Sequence, residues 1–109
     1  MFARRVQGNE SAAVLPNDDT RTLLLFFSSA RSGPSRRMES LLAHIARKER
    51  HRLRVVQVDV EARPDLAERL AVAVAPTLVL VRKRRPIARL EGRASAPRIE
   101  AMLERHLAA

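Results

Sequence analysis

Leu23-Leu24-Leu25-Phe26-Phe27-Ser28-Ser29-Ala30-Arg31-Ser32-Gly33-Pro34-Ser35 is the stretch on which the reading of this chain turns. Five consecutive apolar residues between polar neighbours suit a strand buried on both faces, as in a central strand with layers packed above and below it. The small, polar run at 28–35 then predicts a loop ending in Gly33-Pro34. A helix follows. Pro34 fits its first turn, where no backbone N–H is required, and Met38, Leu41, Leu42 and Ile45 recur at i, i+3, i+4 and i+7. Arg47, Lys48 and Arg50 sit near its end, where cations offset the negative end of the helix dipole.

Working outward, residues 53–60 read as a second central strand, and Pro64 opens a shorter helix with Leu66 and Leu70 on one side. Residues 77–81 predict a third strand, Arg82-Lys83-Arg84-Arg85 a turn, and residues 86–91 a fourth strand. Pro86 and the dense charge place that last strand at a sheet edge. Ser95 is positioned to cap a final helix with Pro97 in its first turn and Ile99, Met102, Leu103 and Leu107 inward. Residues 1–20 are weakly patterned, with turn signals at Gly8-Asn9 and Pro16-Asn17. A short strand near residues 3–6 and a helical turn at 11–15 are expected there. The order predicts an α/β fold over residues 21–109: a right-handed parallel crossover first, then an antiparallel pair closing the same sheet.

The 109 residues suffice for one domain, and an apolar fraction of 46% supplies its core, largely without aromatics at 3%. No apolar run approaches the ~20 residues of a membrane span. The basic pair Arg4-Arg5 has no apolar stretch behind it, so no signal peptide is expected and a cytoplasmic location is the default. Cysteine is absent, which removes disulfides, thiolate metal sites and sulfur nucleophiles together. His44, His51 and His106 are scattered without metal-ligand spacing, and Gly33 stands alone rather than in a phosphate-binding loop, so neither metal nor cofactor is expected. Asp59 and Glu61, at a strand end, are read as solvated carboxylates.

Four features, in order, resemble the thioredoxin family. Arg31-Ser32-Gly33-Pro34-Ser35 lies between the first apolar strand and the long helix, where thioredoxins have Trp-Cys-Gly-Pro-Cys. Ala75-Pro76-Thr77 opens the third strand, where the family has its cis-proline and a threonine. Gly92 follows the fourth strand as the family's glycine does, and Val58-Asp59-Val60-Glu61 with Pro64 matches its strand end and helix start. The resemblance covers about residues 22–107. It implies a thioredoxin-like fold, a central mixed sheet flanked by helices on both faces.

The departures bear on function. In the family the first cysteine is a thiolate at a helix N-terminus that attacks a disulfide, and the second resolves the mixed disulfide. Ser32 and Ser35 hold those positions, and an alcohol neither ionises usefully at neutral pH nor exchanges with disulfides. Phe26 stands where the family has a buried aspartate, Arg31 replaces the tryptophan before the motif, and Ser28 replaces a nearby aromatic. Their joint replacement favours natural divergence over an engineered Cys→Ser change.

The resemblance further implies that the backbone at Ala75, before the cis-proline, pairs with an extended polypeptide, a contact that needs no cysteine. The expected function is therefore a redox-inactive, accessory or chaperone-like protein that binds a protein or peptide partner. Arg31, Ser32, Gly33, Pro34, Ser35, Ala75, Pro76 and Thr77 form its peptide-binding site. The alternative is a thioredoxin-type disulfide oxidoreductase seen as a serine variant or so named by homology. Three basic features complete the reading. Arg36 and Arg37, with the two serines at a helix N-terminus, are candidate anion-binding residues for a phosphate or an acidic side chain, although arginines there also simply face water. The net charge of +9, nearly all arginine, suits an acidic partner or non-specific nucleic-acid contact. For the run at 82–85, a solvated hairpin that discourages edge-to-edge pairing is the preferred account.

Overall fold

The apolar run at 23–27 lies at the heart of the sheet. A computed structural model describes residues 4–6 and 22–107. Its elements are β1 (Arg4–Val6), β2 (Thr22–Ser28), α1 (Gly33–Lys48), β3 (Leu53–Asp59), α2 (Pro64–Arg69), β4 (Thr77–Arg82), β5 (Arg85–Glu91) and α3 (Ala96–Leu107). The helical turn expected at 11–15 falls outside the described residues. All seven residues of β2 are buried. This follows from its place in the five-stranded order β1-β3-β2-β4-β5.

β2 pairs parallel with β3 and antiparallel with β4, so the sheet is mixed as expected. β1 extends the parallel side through Arg4↔Val56 to Val6↔Val58, and β5 forms the other edge, antiparallel to β4 with a register shift at Leu80/Val81. Pro86, exposed near the start of β5, sits where a missing N–H is tolerated.

Alternation along the strands sends side chains to two cores. Leu24, Phe26, Val55, Leu78 and Leu80 pack with Met38, Leu42 and Ile45 of α1 and Ile99, Met102, Leu103 and Leu107 of α3. Leu25, Phe27, Val56, Val58 and Val79 pack on the opposite face with Leu66 and Ala67 of α2. Phe26 is fully buried against α1. Removing its ring costs about 3–5 kcal/mol by loss of transfer energy and the cavity left behind.

α1 starts at Gly33, one residue ahead of the Pro34 expected in its first turn. Gly33 and Pro34 are helical, Ser32 is the N-cap, and Ser28 completes β2, so the connecting loop is short. The reason is Ser32 itself, whose hydroxyl supplies the cap that the loop reading overlooked.

Arginine stabilises helix ends more than the sequence revealed. Arg82 is the last residue of β4, not part of the turn, and its Nη2 donates to the carbonyl of His106 near the end of α3. Arg52 Nη1 donates to Leu107 O at 3.4 Å, reinforcing the same terminus. Arg89 on β5 donates to Leu70 O at 2.6 Å and Ala71 O at 3.0 Å, satisfying the end of α2. Each places a cation at the negative end of a helix and fills an orphan carbonyl. Only Lys83 and Arg84 form the hairpin tip, both with positive φ at 51° and 67°, as a tight two-residue turn between twisted strands requires.

The end of α2 is a Schellman turn. Ala71 N–H donates to Glu68 O and Val72 N–H to Ala67 O, with Ala71 at φ 56°. A Cβ in that left-handed region is strained, and glycine relieves it at some cost in unfolded-state entropy. Ala71→Gly is therefore expected to stabilise the fold by about 0.5–1 kcal/mol, raising the melting temperature by roughly 3–6 °C. Urea and thermal melts of the variant check this; an unchanged or lower midpoint would show that the strain at Ala71 is already relieved elsewhere.

Candidate functional site

β2 ends at the same edge of the sheet at which β4 begins, since Phe27 pairs with Thr77. The loop after β2 and the turn before β4 therefore meet, and the serines of the loop are tied together. Ser32 Oγ accepts from Ser35 N–H at 3.1 Å and caps α1. Ser35 Oγ accepts from Ser29 N–H at 3.3 Å, and Ser29 O accepts from Ser32 N–H at 3.0 Å. Ser29 Oγ accepts from Arg31 N–H at 3.2 Å and donates to Glu61 at 2.8 Å. The loop's hydroxyls are thus engaged with the loop's own backbone and, through Ser29, with Glu61.

The turn opposite is equally well held. The Ala75–Pro76 bond is cis, Thr77 Oγ1 donates to Val74 O at 2.7 Å, and Pro76 O accepts from Gly92 N–H at 2.8 Å. Gly92 has φ +80°, a conformation strained for any residue with a Cβ, and so brings the β5–α3 connection against the turn. Ser32 Oγ reaches across to Ala75 O at 3.5 Å, joining loop and turn.

Beneath the loop lies a polar group that sequence reading did not single out. Gln57, in the buried middle of β3, donates through Nε2 to Ser28 Oγ at 2.9 Å and to Glu39 Oε2 at 3.1 Å. A lone glutamine in an apolar strand was the available signal, since a buried amide demands partners. Asp59 and Glu61 are likewise engaged rather than merely solvated: Asp59 Oδ1 accepts from Glu61 N–H at 2.9 Å, and Glu61 takes the Ser29 hydroxyl.

The thioredoxin family model matches residues 5–105. The chain belongs to the thioredoxin family. It is 34% identical to thioredoxin-1 of Drosophila melanogaster over 74 residues, spanning 68% of this chain and 69% of that protein. The crystal structure of the germline-specific thioredoxin Deadhead of the same organism superimposes with a TM-score of 0.76 at 31% identity, covering 81% of this chain and 83% of that one. The thioredoxin of Fasciola hepatica shares the fold at a TM-score of 0.75 and 22% identity, covering 81% and 83% of the two chains.

Within this thioredoxin fold, the expected site residues fall into two groups. Arg31 is exposed, and Ser32, Gly33, Pro34 and Ala75 are half-buried around the junction of loop and turn. Pro76 is largely buried, and Ser35 and Thr77 are completely so, which leaves the last two to shape the surface rather than offer a contact and corrects their assignment as peptide-contacting residues. Ser35 lies inside the first turn of α1, where its side chain points at the backbone of Ser29. Val74, not singled out from sequence, is 50% exposed beside Ala75.

The anion site expected at the start of α1 is weaker than its residues imply. Pro34 has no N–H, Ser35 N–H is taken by Ser32 Oγ, and Arg36 N–H by Ser32 O. Among the described residues, Gly33 alone keeps a free donor in that turn. One N–H does not make the converging cluster by which helix termini hold anions. Arg36 and Arg37 are exposed, so any anion they attract is held by their side chains. No group of three metal-binding side chains occurs among the described residues, nor is any described helix long and apolar enough to cross a membrane.

The cap makes Ser32 a stability determinant. Ser32→Ala is expected to cost about 1 kcal/mol by freeing Ser35 N–H, whereas Ser32→Asp or Ser32→Gly costs only a few tenths. Chemical denaturation of the three variants tests this order. Equal stability of the alanine and wild-type proteins would mean that the hydroxyl does not cap.

Proposed function

We propose that this protein is a redox-inactive member of the thioredoxin family that binds an extended polypeptide at the junction of the Ser32 loop and the Ala75 turn. The observation that carries this reading is the main chain of Ala75. Its N–H has no hydrogen-bond partner among the described residues, and its carbonyl has only the long contact from Ser32. A half-buried backbone pair left open at the rim of a sheet is what an added strand uses. Val74 supplies the neighbouring apolar contact, being the one large hydrophobic side chain so exposed among the described residues.

The absence of cysteine supports the redox half of the reading. Disulfide exchange forms a sulfur–sulfur bond with the attacking group and then breaks it, so the chain has no atom able to carry the covalent intermediate. The structure gives Ser32 and Ser35 another occupation. One caps α1, and the other anchors the loop. The fully buried Phe26 adds that the apolar core contains no carboxylate at that position to move a proton.

Two measurements test the proposal. With a dithiol reductant, insulin reduction is expected to proceed at the reductant's background rate, and turnover above it would overturn the redox-inactive assignment. Titration with a short unstructured peptide, followed by NMR, is expected to shift the amides of Val74, Ala75, Ser32 and Gly92 first. Val74→Ser should weaken that binding about five-fold, by loss of roughly 1 kcal/mol of apolar burial. Shifts confined to another face would sink the site assignment.

A further inference from the structure

We propose that the segment bound at the Ala75 turn is acidic, and that its carboxylates are taken by an arginine-walled groove between α1 and α3. This rests on the polypeptide-binding reading above and names the chemistry of the partner. The groove, of about 440 Å³, is lined by Arg37 and Leu41 of α1, by Arg93 and Ala94 of the loop before α3, and by Arg98 of α3, with Met38 at its floor. It starts at the candidate site, because Arg37 also lines the depression that contains Gly33 and Arg36.

Arg37, Arg93 and Arg98 gather at this groove without serving the fold, unlike the arginines that the fold itself uses. Arg52, Arg82 and Arg89 are committed to helix carbonyls, and Arg63 is buried on Asp65 with two 3.0 Å contacts. Arg37, Arg93 and Arg98 are exposed and make no ion pair or hydrogen bond among the described residues. Three like charges around one depression repel one another, and no acid is among the residues lining that groove; Glu39 lies in the adjoining depression beside Arg36. A carboxylate removes that repulsion and matches the guanidinium fork in a way that water does not.

The floor decides between polypeptide and nucleic acid. Met38 and Ala94 are only 3% and 5% exposed, and Leu41 is partly buried against the core, so the base of the groove is apolar. The methylenes of a glutamate, or an aliphatic neighbour in the same segment, cover such a surface, and the arginine stems extend it. A phosphate backbone has nothing to place there. Bases have no ring to stack on either: the chain has no Trp or Tyr, and Phe26 and Phe27 are fully buried.

The test uses fluorescein-labelled unstructured peptides alternating valine with glutamate, glutamine or lysine, and an oligothymidine of similar length, each titrated by anisotropy. The glutamate peptide is expected to bind about ten-fold more tightly than the glutamine peptide at low salt, with the lysine peptide weakest. That advantage should vanish at high salt and in Arg93→Glu/Arg98→Glu. The milder Arg93→Gln/Arg98→Gln should reduce it too and decides the matter if charge reversal perturbs folding. Equal binding of the glutamate and glutamine peptides would overturn the acidic assignment and leave binding at the turn intact. Binding of no peptide would remove both. A preference for glutamate that survives in both double variants would place the acidic contact elsewhere and defeat the groove. Oligothymidine bound as tightly as the glutamate peptide, and lost in the same variants, would make this a nucleic-acid surface instead.

Discussion

The burial of β2 on both faces organises this molecule. A strand hydrogen-bonded along both edges, with α1 and α3 over one face and α2 over the other, has no freedom of register, since a slip by one residue would exchange its two apolar sets. Its last residue therefore delivers the Ser29–Ser32 loop to one place at the end of the sheet. β4, held antiparallel beside it, delivers the Ala75–Pro76 turn to the same place. The candidate site is the consequence of two neighbouring strands meeting their connections at a common edge.

At that edge, the serines have taken up the role that small polar groups fill best. Ser32 caps a helix, Ser35 holds the loop backbone from within, and Ser29 joins the loop to Glu61 beyond β3. A hydroxyl can donate and accept at once, so three of them satisfy several backbone groups that would otherwise be left orphaned near the helix start. Hydrogen bonds among these serines fix the shape of the loop. The main chain of Ala75 meets the motif only through the long contact from the Ser32 hydroxyl.

Arginine serves two ends on one fold. Where a helix terminates against a neighbouring strand or turn, the long side chain bridges to the last carbonyls, as Arg82, Arg52 and Arg89 do. At the groove between α1 and α3, which no acid lines, Arg37, Arg93 and Arg98 remain exposed around an apolar base. The uneven charge of the chain is thus partly structural and partly a property of one surface.

Periodicity and punctuation alone determined most of the architecture. The run at 23–27, the i, i+3, i+4, i+7 pattern from Met38 to Ile45, Pro64, Pro86 and the stripe from Ile99 to Leu107 are local signals. Burial in strands and helices repeats at fixed intervals along the chain, so local signals suffice for it. The absence of cysteine was also decided there, because it is a matter of composition. Contacts between residues distant in the chain were not legible. Ser32 meeting Ala75, Gln57 reaching Ser28 and Glu39, Arg82 capping α3, and Arg37 facing Arg93 and Arg98 each depend on how separate elements pack. Which hydroxyl is spent, which arginine is engaged and which backbone is left open are set by three-dimensional neighbours, and only the tertiary structure brings those neighbours together.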